Sequence, residues 1–196
     1  MAEIGLALVN ARLAGEVRRP APLGTYVLAR HFILLEAERD EYQAAVPVSI
    51  VQPPIEGLPD ERPALRWKIL RPPLELLTHR ILPAFLVAAR PAEGPRAEAL
   101  TNLVWDGLTW SVDYPEQDAT AASVHTREPL PPGAVIQIHS HGCMKPFWSA
   151  TDNADEQDFL IYIVVGCLHE AAPAILLRVG INGSWLPLRL NDVFTT

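Results

Sequence analysis

The sequence predicts a mixed α/β protein of the α+β kind, in which a mixed β-sheet is flanked by helices. Short runs rich in β-branched and aromatic residues recur along the chain and are typical of strands. One segment, 74–90, has the apolar spacing of a helix with one buried face. Helical and strand patterns alternate irregularly between paired prolines, which favours segregated helices over a regular alternation.

The composition and charge of the chain argue against some classes of function. The 196 residues are 49% hydrophobic and 20% charged, which allows a sizeable core. A net charge of −7 argues against nucleic acid or an anionic membrane surface as the main partner. The longest strongly apolar run, 159–168, is about half of a membrane span. Two cysteines form no disulfide framework and no secretory signal begins the chain, so we expect a cytoplasmic protein.

Residues 1–70 are predicted to form a small β-rich extension of unknown role. Their predicted elements are a short strand or helix over 4–13, two strands within 25–36 joined around Arg30-His31, a strand over 46–51 and a proline-broken loop over 55–66.

An acidic cluster, formed by Glu36, Glu38, Asp40 and Glu41, follows the second of these strands. We expect a solvated turn here, because runs of like charge are usually exposed. The alternative is that one of these carboxylates serves a metal site.

Residues 71–196 are predicted to form the main domain. The helix over 74–90 buries Leu74, Leu77, Ile81, Phe85 and Ala88, and Pro83 should kink or split it because proline removes a helical hydrogen bond. Pro91 to Gly94 ends the helix. The predicted strands cover 98–105, 108–112 after an Asp106-Gly107 turn, 120–125, 134–139 after a turn at 129–133, 159–165, 175–181 and 185–190.

The most informative stretch contains His139, His141 and Asp152. Two histidines one residue apart on a strand point the same way, so their imidazoles can share one ion. Asp152 follows after a loop long enough to return the chain to the strand end. Two histidines and a carboxylate leave a tetrahedral zinc ion one open position, as in hydrolytic sites.

The residues around the motif have alternative roles. Ser140 should face away from the ligands and hydrogen-bond to the backbone, so a Ser-His hydrolase is not expected. Ser149 or Thr151 can cap a short acidic helix that begins near Asp152. Cys143 is expected as a free thiol, although as a fourth ligand it would close the site. Loop aromatics at 147–148 either line a substrate groove or anchor the loop.

The spacing of His139, His141, Ser149 and Asp152 resembles the signature of the JAMM (MPN-plus, JAB) zinc metalloproteases, and the resemblance extends over roughly 73–196. It implies a JAB/MPN-type mixed sheet flanked by helices, with a cytidine-deaminase-like architecture. It also implies zinc-dependent cleavage of isopeptide bonds or C-terminal extensions of ubiquitin and its relatives. The family's glutamate leads the strand after the first helix, which identifies Glu98 in Pro95-Arg96-Ala97-Glu98 as the general base; Glu36 and Glu38 are the alternatives.

More closely, the segments 139–141, 147–152, 155–157 and 178–180 resemble the bacterial JAMM proteins called PRTRC system protein A. This implies partners that include a ubiquitin-like protein and activating or conjugating enzymes of its operon, some of which serve antiviral defence. The chain has an N-terminal extension and no long insertion that would recognise the linkage between ubiquitin units. The resemblance therefore implies no linkage preference.

We therefore expect Zn²⁺ on His139, His141 and Asp152 to activate water, Glu98 to move the proton and Ser149 to donate a hydrogen bond to the oxyanion. The leading hypothesis is a zinc isopeptidase or peptidase that removes or matures a bacterial ubiquitin-like protein by reading its C-terminal tail. The alternatives are a catalytically silent MPN-type scaffold of a conjugation complex and a peptidase that acts on an unrelated small substrate.

Overall fold

The computed structural model describes residues 10–16, 24–90 and 97–195. Within these ranges the chain is a mixed α/β protein with several β-sheets and few helices, which confirms the coarse fold class. The chain forms two compact units. The first unit contains the described part of Met1–Leu70 together with Glu156–Phe159 and Val179–Leu186. The second unit contains the described part of Arg71–Asp155 together with Leu160–Arg178 and the described part of Pro187–Thr196.

The first unit contains a five-stranded sheet. Its strands are β1 (Asn10–Leu13), β2 (Thr25–Leu28), β3 (Phe32–Glu38), β4 (Tyr42–Ile50) and β5 (Ala64–Trp67). They lie in chain order; β1 runs parallel to β2, and the other neighbours are antiparallel. Small and branched side chains, Val27, Leu34 and Ala45 among them, form a buried cluster on this sheet.

Sequence patterns predicted this unit in part. The two strands joined around residues 30–31 are confirmed, and the strand predicted over 46–51 begins earlier, at Tyr42. The expectation of a loop through Arg66 is wrong at its end, because Ala64–Trp67 pairs with the start of β4. Residues 4–9 of the first predicted element lie outside the described residues.

The acidic cluster is only partly a solvated turn. Glu38 and Asp40 are exposed, as expected, whereas Glu36 and Glu41 are buried. A buried carboxylate needs a cation or hydrogen-bond donors. Arg12 provides them for Glu36 through a 3.0 Å ion pair, and Arg39 contacts Glu41 at 2.6 Å.

The larger sheet has six strands. Its strands, in chain order, are β6 (Leu100–Trp105), β7 (Trp110–Asp113), β10 (Ala134–Ser140), β11 (Ile161–Gly166), β12 (Ala174–Ile181) and β13 (Ser184–Leu188). Between β7 and β10 the chain forms a separate two-stranded hairpin, β8 (Gln117–Ala119) and β9 (Val124–Thr126). The strand order across the six-stranded sheet is β13-β12-β11-β10-β6-β7. The sheet is mixed, since β10 is parallel to β11 and antiparallel to β6. Every residue of β11 is buried, so the core of the second unit lies along its central strands.

The segment 120–125 was predicted as one strand, and this prediction is wrong for residues 120–123 and confirmed only for 124–125, which begin β9. Thr120 to Ser123 form the turn between β8 and β9, in which the Thr120 amide donates to the Ser123 carbonyl at 2.8 Å. The two hydroxyl groups also hydrogen-bond, at 2.9 Å. Such local bonds compete with a strand ladder and explain why the run of small residues turns.

The predicted helix over 74–90 is present and is split at the expected place. Leu76–Ile81 is π-helical, and helix α1 (Leu82–Ala89) follows with Pro83 in its first turn. Proline has no amide hydrogen to donate, and the first turn of a helix tolerates that loss. The buried face is formed by Leu77, Ile81 and Phe85, whereas Leu74 and Ala88 are only half-buried.

Two short helices complete the described chain. They are α2 (Ala150–Asp155) and α3 (Leu190–Val193). Among the described residues, no helix combines the length and the apolar character that crossing a bilayer requires.

Candidate metal centre

The two histidines of the motif lie at the end of β10, as the alternation of a strand predicts. His139 lies opposite Leu100 of β6 and Val164 of β11, and the amide of His141 donates to the Val165 carbonyl at 2.7 Å. These bonds to both neighbouring strands fix the backbone from which the imidazoles project. Both histidines are buried.

Asp152 is brought to the same place by helix α2. The Ser149 hydroxyl accepts a 3.0 Å hydrogen bond from the Asp152 amide, and the Asp152 carboxylate accepts a 2.6 Å bond from the Ser149 amide. This reciprocal cap satisfies two amides at the start of the helix. It confirms Ser149 as the capping residue and holds the Asp152 carboxylate in a defined orientation.

The three predicted ligands converge. The two Nε2 atoms are 3.2 Å apart, and the Asp152 carboxylate oxygens lie 3.5 Å from His139 Nε2 and 3.9 Å from His141 Nε2. In a tetrahedral zinc site, bonds of about 2.0–2.2 Å place two ligand atoms about 3.3–3.6 Å apart. The donor set and its spacing therefore fit a metal ion, and among the described residues this is the one group of three such side chains found.

The protonation of the histidines also suits metal binding. Burial lowers the pKa of His139 to about 4, because the charged ring loses its hydration, and the Asp152 carboxylate opposes this only in part. Burial likewise lowers the pKa of His141, against the opposing effects of Asp152 and the Lys145 carbonyl. Both imidazoles are neutral at physiological pH, which leaves a nitrogen lone pair available for a cation.

Ser140 and Cys143 lie beside the motif without joining the ligand set. The fully buried Ser140 hydroxyl accepts a 3.0 Å bond from the Ala99 amide, so this side chain faces away from the histidines as predicted. Cys143 is a half-buried free thiol and lies outside the three-ligand group. Gly142 separates it from His141 in a left-handed conformation, with φ of +57°, which turns the chain out of the strand.

Glu98 lies just ahead of β6 and is buried. Its amide donates to the Thr120 carbonyl at 2.7 Å. Glu98 and His141 line the same cavity of about 140 Å³, together with Cys143 and three alanines. Burial raises the pKa of the Glu98 carboxyl to about 7, and the negative charge of Asp152 adds to the rise. Such a carboxyl can accept and release a proton near neutral pH.

The two alternative candidates for the general base, Glu36 and Glu38, belong to the first unit, and each forms an ion pair with a basic side chain there. Glu36 pairs with Arg12, and Glu38 pairs with Lys68. Each of these carboxylates therefore already has a basic partner within the first unit.

The two aromatic residues of the loop, Phe147 and Trp148, make different contacts. Phe147 is half-exposed, and its ring lies edge-on to His141 with centroids 4.6 Å apart. Trp148 is half-buried, and the guanidinium of Arg178 lies 3.8 Å from its ring centroid. Sequence reasoning assigned no role to Arg178. The signal that could have singled it out is a lone arginine inside the apolar strand β12.

No protein-family model matches this sequence, and no curated protein matches it. The resemblance to JAMM metalloproteases therefore rests on the residues themselves and stays a prediction.

Proposed function

We propose that this protein is a zinc-dependent JAMM-type peptidase that cleaves after the C-terminal tail of a bacterial ubiquitin-like protein. One observation carries the proposal: His139, His141 and Asp152 converge with ligand-like spacing while Glu98, whose pKa is about 7, lines a cavity shared with His141. A metal-binding group close to a carboxyl whose pKa is near 7 is the arrangement that a metal-assisted hydrolase uses.

The donor chemistry favours zinc among the metals. Two neutral imidazoles and one carboxylate suit Zn²⁺ in a four-coordinate site with one open position, whereas Ca²⁺ and Mg²⁺ prefer all-oxygen sites. A zinc ion held there would supply Lewis acidity, which lowers the pKa of water and polarises a scissile carbonyl. Cys143 stays a free thiol in this proposal, so the open position is kept for the reaction.

Glu98 acts as the general base and then as the general acid. Its carboxylate takes a proton from the attacking water and returns it to the departing amine, which neutralises a poor leaving group. A pKa of about 7 serves both steps, because the group is partly ionised and partly protonated at working pH. This proton transfer is worth about 10²- to 10⁴-fold in rate.

Ser149 has two compatible roles. Its hydroxyl oxygen accepts the Asp152 amide in the helix cap, while a hydroxyl still has its hydrogen to donate. We assign that hydrogen to the oxyanion that develops on the substrate carbonyl. A single donor of this kind typically contributes about 10²- to 10³-fold in rate.

The fold and substrate in this proposal follow the resemblance. The six-stranded mixed sheet with the motif on its central strand β10 suits a JAB/MPN, cytidine-deaminase-like domain. An extended tail can add to a sheet edge such as β7 through backbone hydrogen bonds. The partners would be a ubiquitin-like protein, its conjugates and the enzymes of its operon, in the reducing cytoplasm.

The test is cleavage of a bacterial ubiquitin-like protein whose C-terminal tail is fused to a reporter protein. The wild-type chain loaded with zinc should release the reporter, and an unrelated C-terminal fusion should resist it. His139→Ala and Glu98→Gln should both fail to cleave.

Outcomes of this test separate the hypotheses. Cleavage that persists unchanged in both variants would exclude the proposed mechanism. Binding of the ubiquitin-like protein without cleavage, by wild type and variants alike, would identify a silent scaffold instead. Equal cleavage of unrelated fusions would point to a peptidase with a different substrate.

A further inference from the structure

Arg178 is a buried cation in a strand that is otherwise apolar. It lies on β12 between Leu177 and Val179, and only 4% of its surface is exposed. Arginine is seldom buried so completely unless other groups hold its charge and its hydrogen-bond donors. The contacts of this guanidinium therefore indicate what the residue does.

Those contacts lead to the segment that carries Asp152. The Arg178 guanidinium lies 3.8 Å from the ring centroid of Trp148, and its Nη1 donates a 2.7 Å hydrogen bond to the Asn153 side-chain oxygen. Trp148 immediately precedes Ser149, and Asn153 immediately follows Asp152. One rigid, planar group thus holds both ends of the short segment that forms the helix cap and supplies the carboxylate ligand.

The positive charge of Arg178 works against a cation site beside it, whereas its shape can support that site. Its positive charge already acts on His139, where it disfavours a second positive charge. By the same electrostatic effect it would weaken the binding of a metal cation nearby. An arginine kept there despite this cost contributes through geometry, because its planar fork stacks on a ring and hydrogen-bonds at the same time.

From these contacts we propose that Arg178 is the positioning residue of the metal centre, which locks the 148–153 segment so that Asp152 meets His139 and His141. This role rests on the proposed function, since it presupposes that the three side chains bind zinc. Residues that orient metal ligands typically change metal affinity by about 10- to 100-fold when they are replaced.

The test is zinc affinity, measured by competition with a chelator, together with thermal unfolding of the metal-free protein. Arg178→Lys keeps the charge and loses the planar stack, and Arg178→Met removes the charge as well. Asn153→Ala removes the side chain that accepts this hydrogen bond and leaves Arg178 in place, so it tests the contact if the Arg178 variants fold poorly. Arg12→Met is the matched control, because it removes a half-buried, ion-paired arginine of the first unit.

We expect Arg178→Lys and Arg178→Met to weaken zinc binding by about 10- to 100-fold and Asn153→Ala to weaken it less. Arg12→Met should lower the unfolding temperature without changing zinc affinity. The kcat of zinc-saturated Arg178→Lys should also fall more than its KM rises, because Ser149 and Asp152 share the displaced segment.

The outcomes that overturn this role are distinct from those that overturn the function. If wild type binds zinc and cleaves, and Arg178→Lys binds zinc within about twofold of wild type or more tightly, the positioning role is wrong and the proposed function stands. A purely electrostatic role would leave zinc binding unchanged in Arg178→Lys, which keeps the charge, and tighten it in Arg178→Met, which removes the charge. If the wild-type protein itself binds no zinc, the proposed function fails and this role fails with it.

Discussion

Replacement of Glu98 by glutamine should stabilise the metal-free protein while it strongly slows cleavage. The carboxyl is buried, and its pKa is raised from 4.5 to about 7. Below pH 4.5 the group is protonated in both the folded and the unfolded chain, so it adds no charge-related cost. Between pH 4.5 and 7 the unfolded chain releases the proton first, and the folded state loses stability as pH rises.

The magnitude follows from the size of the shift. One pKa unit corresponds to about 1.4 kcal/mol, so a rise from 4.5 to about 7 costs the folded state about 3 kcal/mol above pH 7. The Glu98→Gln side chain is neutral at every pH and avoids this cost. We therefore expect Glu98→Gln to be more stable than wild type by about 2–3 kcal/mol at pH 8 and nearly equal to it at pH 4.5.

The assay is denaturant unfolding of the chelator-treated wild-type and Glu98→Gln proteins from pH 4.5 to 8. The difference between the two free energies of unfolding isolates Glu98, because the contributions of His139 and His141 are present in both proteins. The cleavage rate, measured with zinc restored, should fall by about 10²- to 10⁴-fold in the variant.

A difference in unfolding free energy that stays constant from pH 4.5 to 8 would refute the reasoning, since it would mean that Glu98 has an ordinary pKa. A variant less stable than wild type at pH 8 would contradict it as well. Glu98→Asp is the matched control, because it keeps the charge and should retain the pH-dependent cost.

Three further changes test other parts of the molecule. Ser149→Ala should lower the unfolding free energy by about 1 kcal/mol through the lost cap and kcat by about 10²- to 10³-fold, with Ser149→Thr close to wild type in both; an unchanged kcat in Ser149→Ala would remove its oxyanion role. Glu36→Gln removes one of the two carboxylates that pair with the half-buried Arg12 and should cost about 1–3 kcal/mol in denaturant unfolding, because Glu61 remains as a partner, with zinc binding and cleavage unchanged; lost cleavage in the folded variant would return the general-base role to Glu36. Gly166→Ala would place a Cβ 2.3 Å from the Met144 carbonyl oxygen, so the loop between His141 and Ser149 must shift and both thermal stability and zinc affinity should fall; a variant equal to wild type in both measurements would show that the loop shifts without cost.

The convergence of the three candidate metal ligands was predictable because its determinants are local. Strand alternation places His139 and His141 on one side and Ser140 on the other, and the hydrogen bond from Ala99 to Ser140 bears this out. The helix cap at Ser149 depends on residues three positions apart, as caps do. Short-range geometry of this kind can be worked out from the sequence without knowing the rest of the fold.

The features that sequence reasoning missed depend on partners distant in the chain. Glu36 is buried because Arg12, on another strand, neutralises it, and nothing near Glu36 in the sequence shows this. Arg178 meets Trp148 and Asn153 only because the fold brings β12 to α2. The β8–β9 turn was missed for a different reason, since a run of small residues around Thr120 has no distinct periodicity.

The most direct test of the central claim is stoichiometric reconstitution of cleavage with zinc. Chelator-treated protein should cleave nothing, recover full cleavage of the ubiquitin-like fusion at one equivalent of Zn²⁺, and bind that equivalent equally in Glu98→Gln without cleaving. Cleavage that is independent of added zinc, or that Glu98→Gln performs as fast as wild type, would contradict the account.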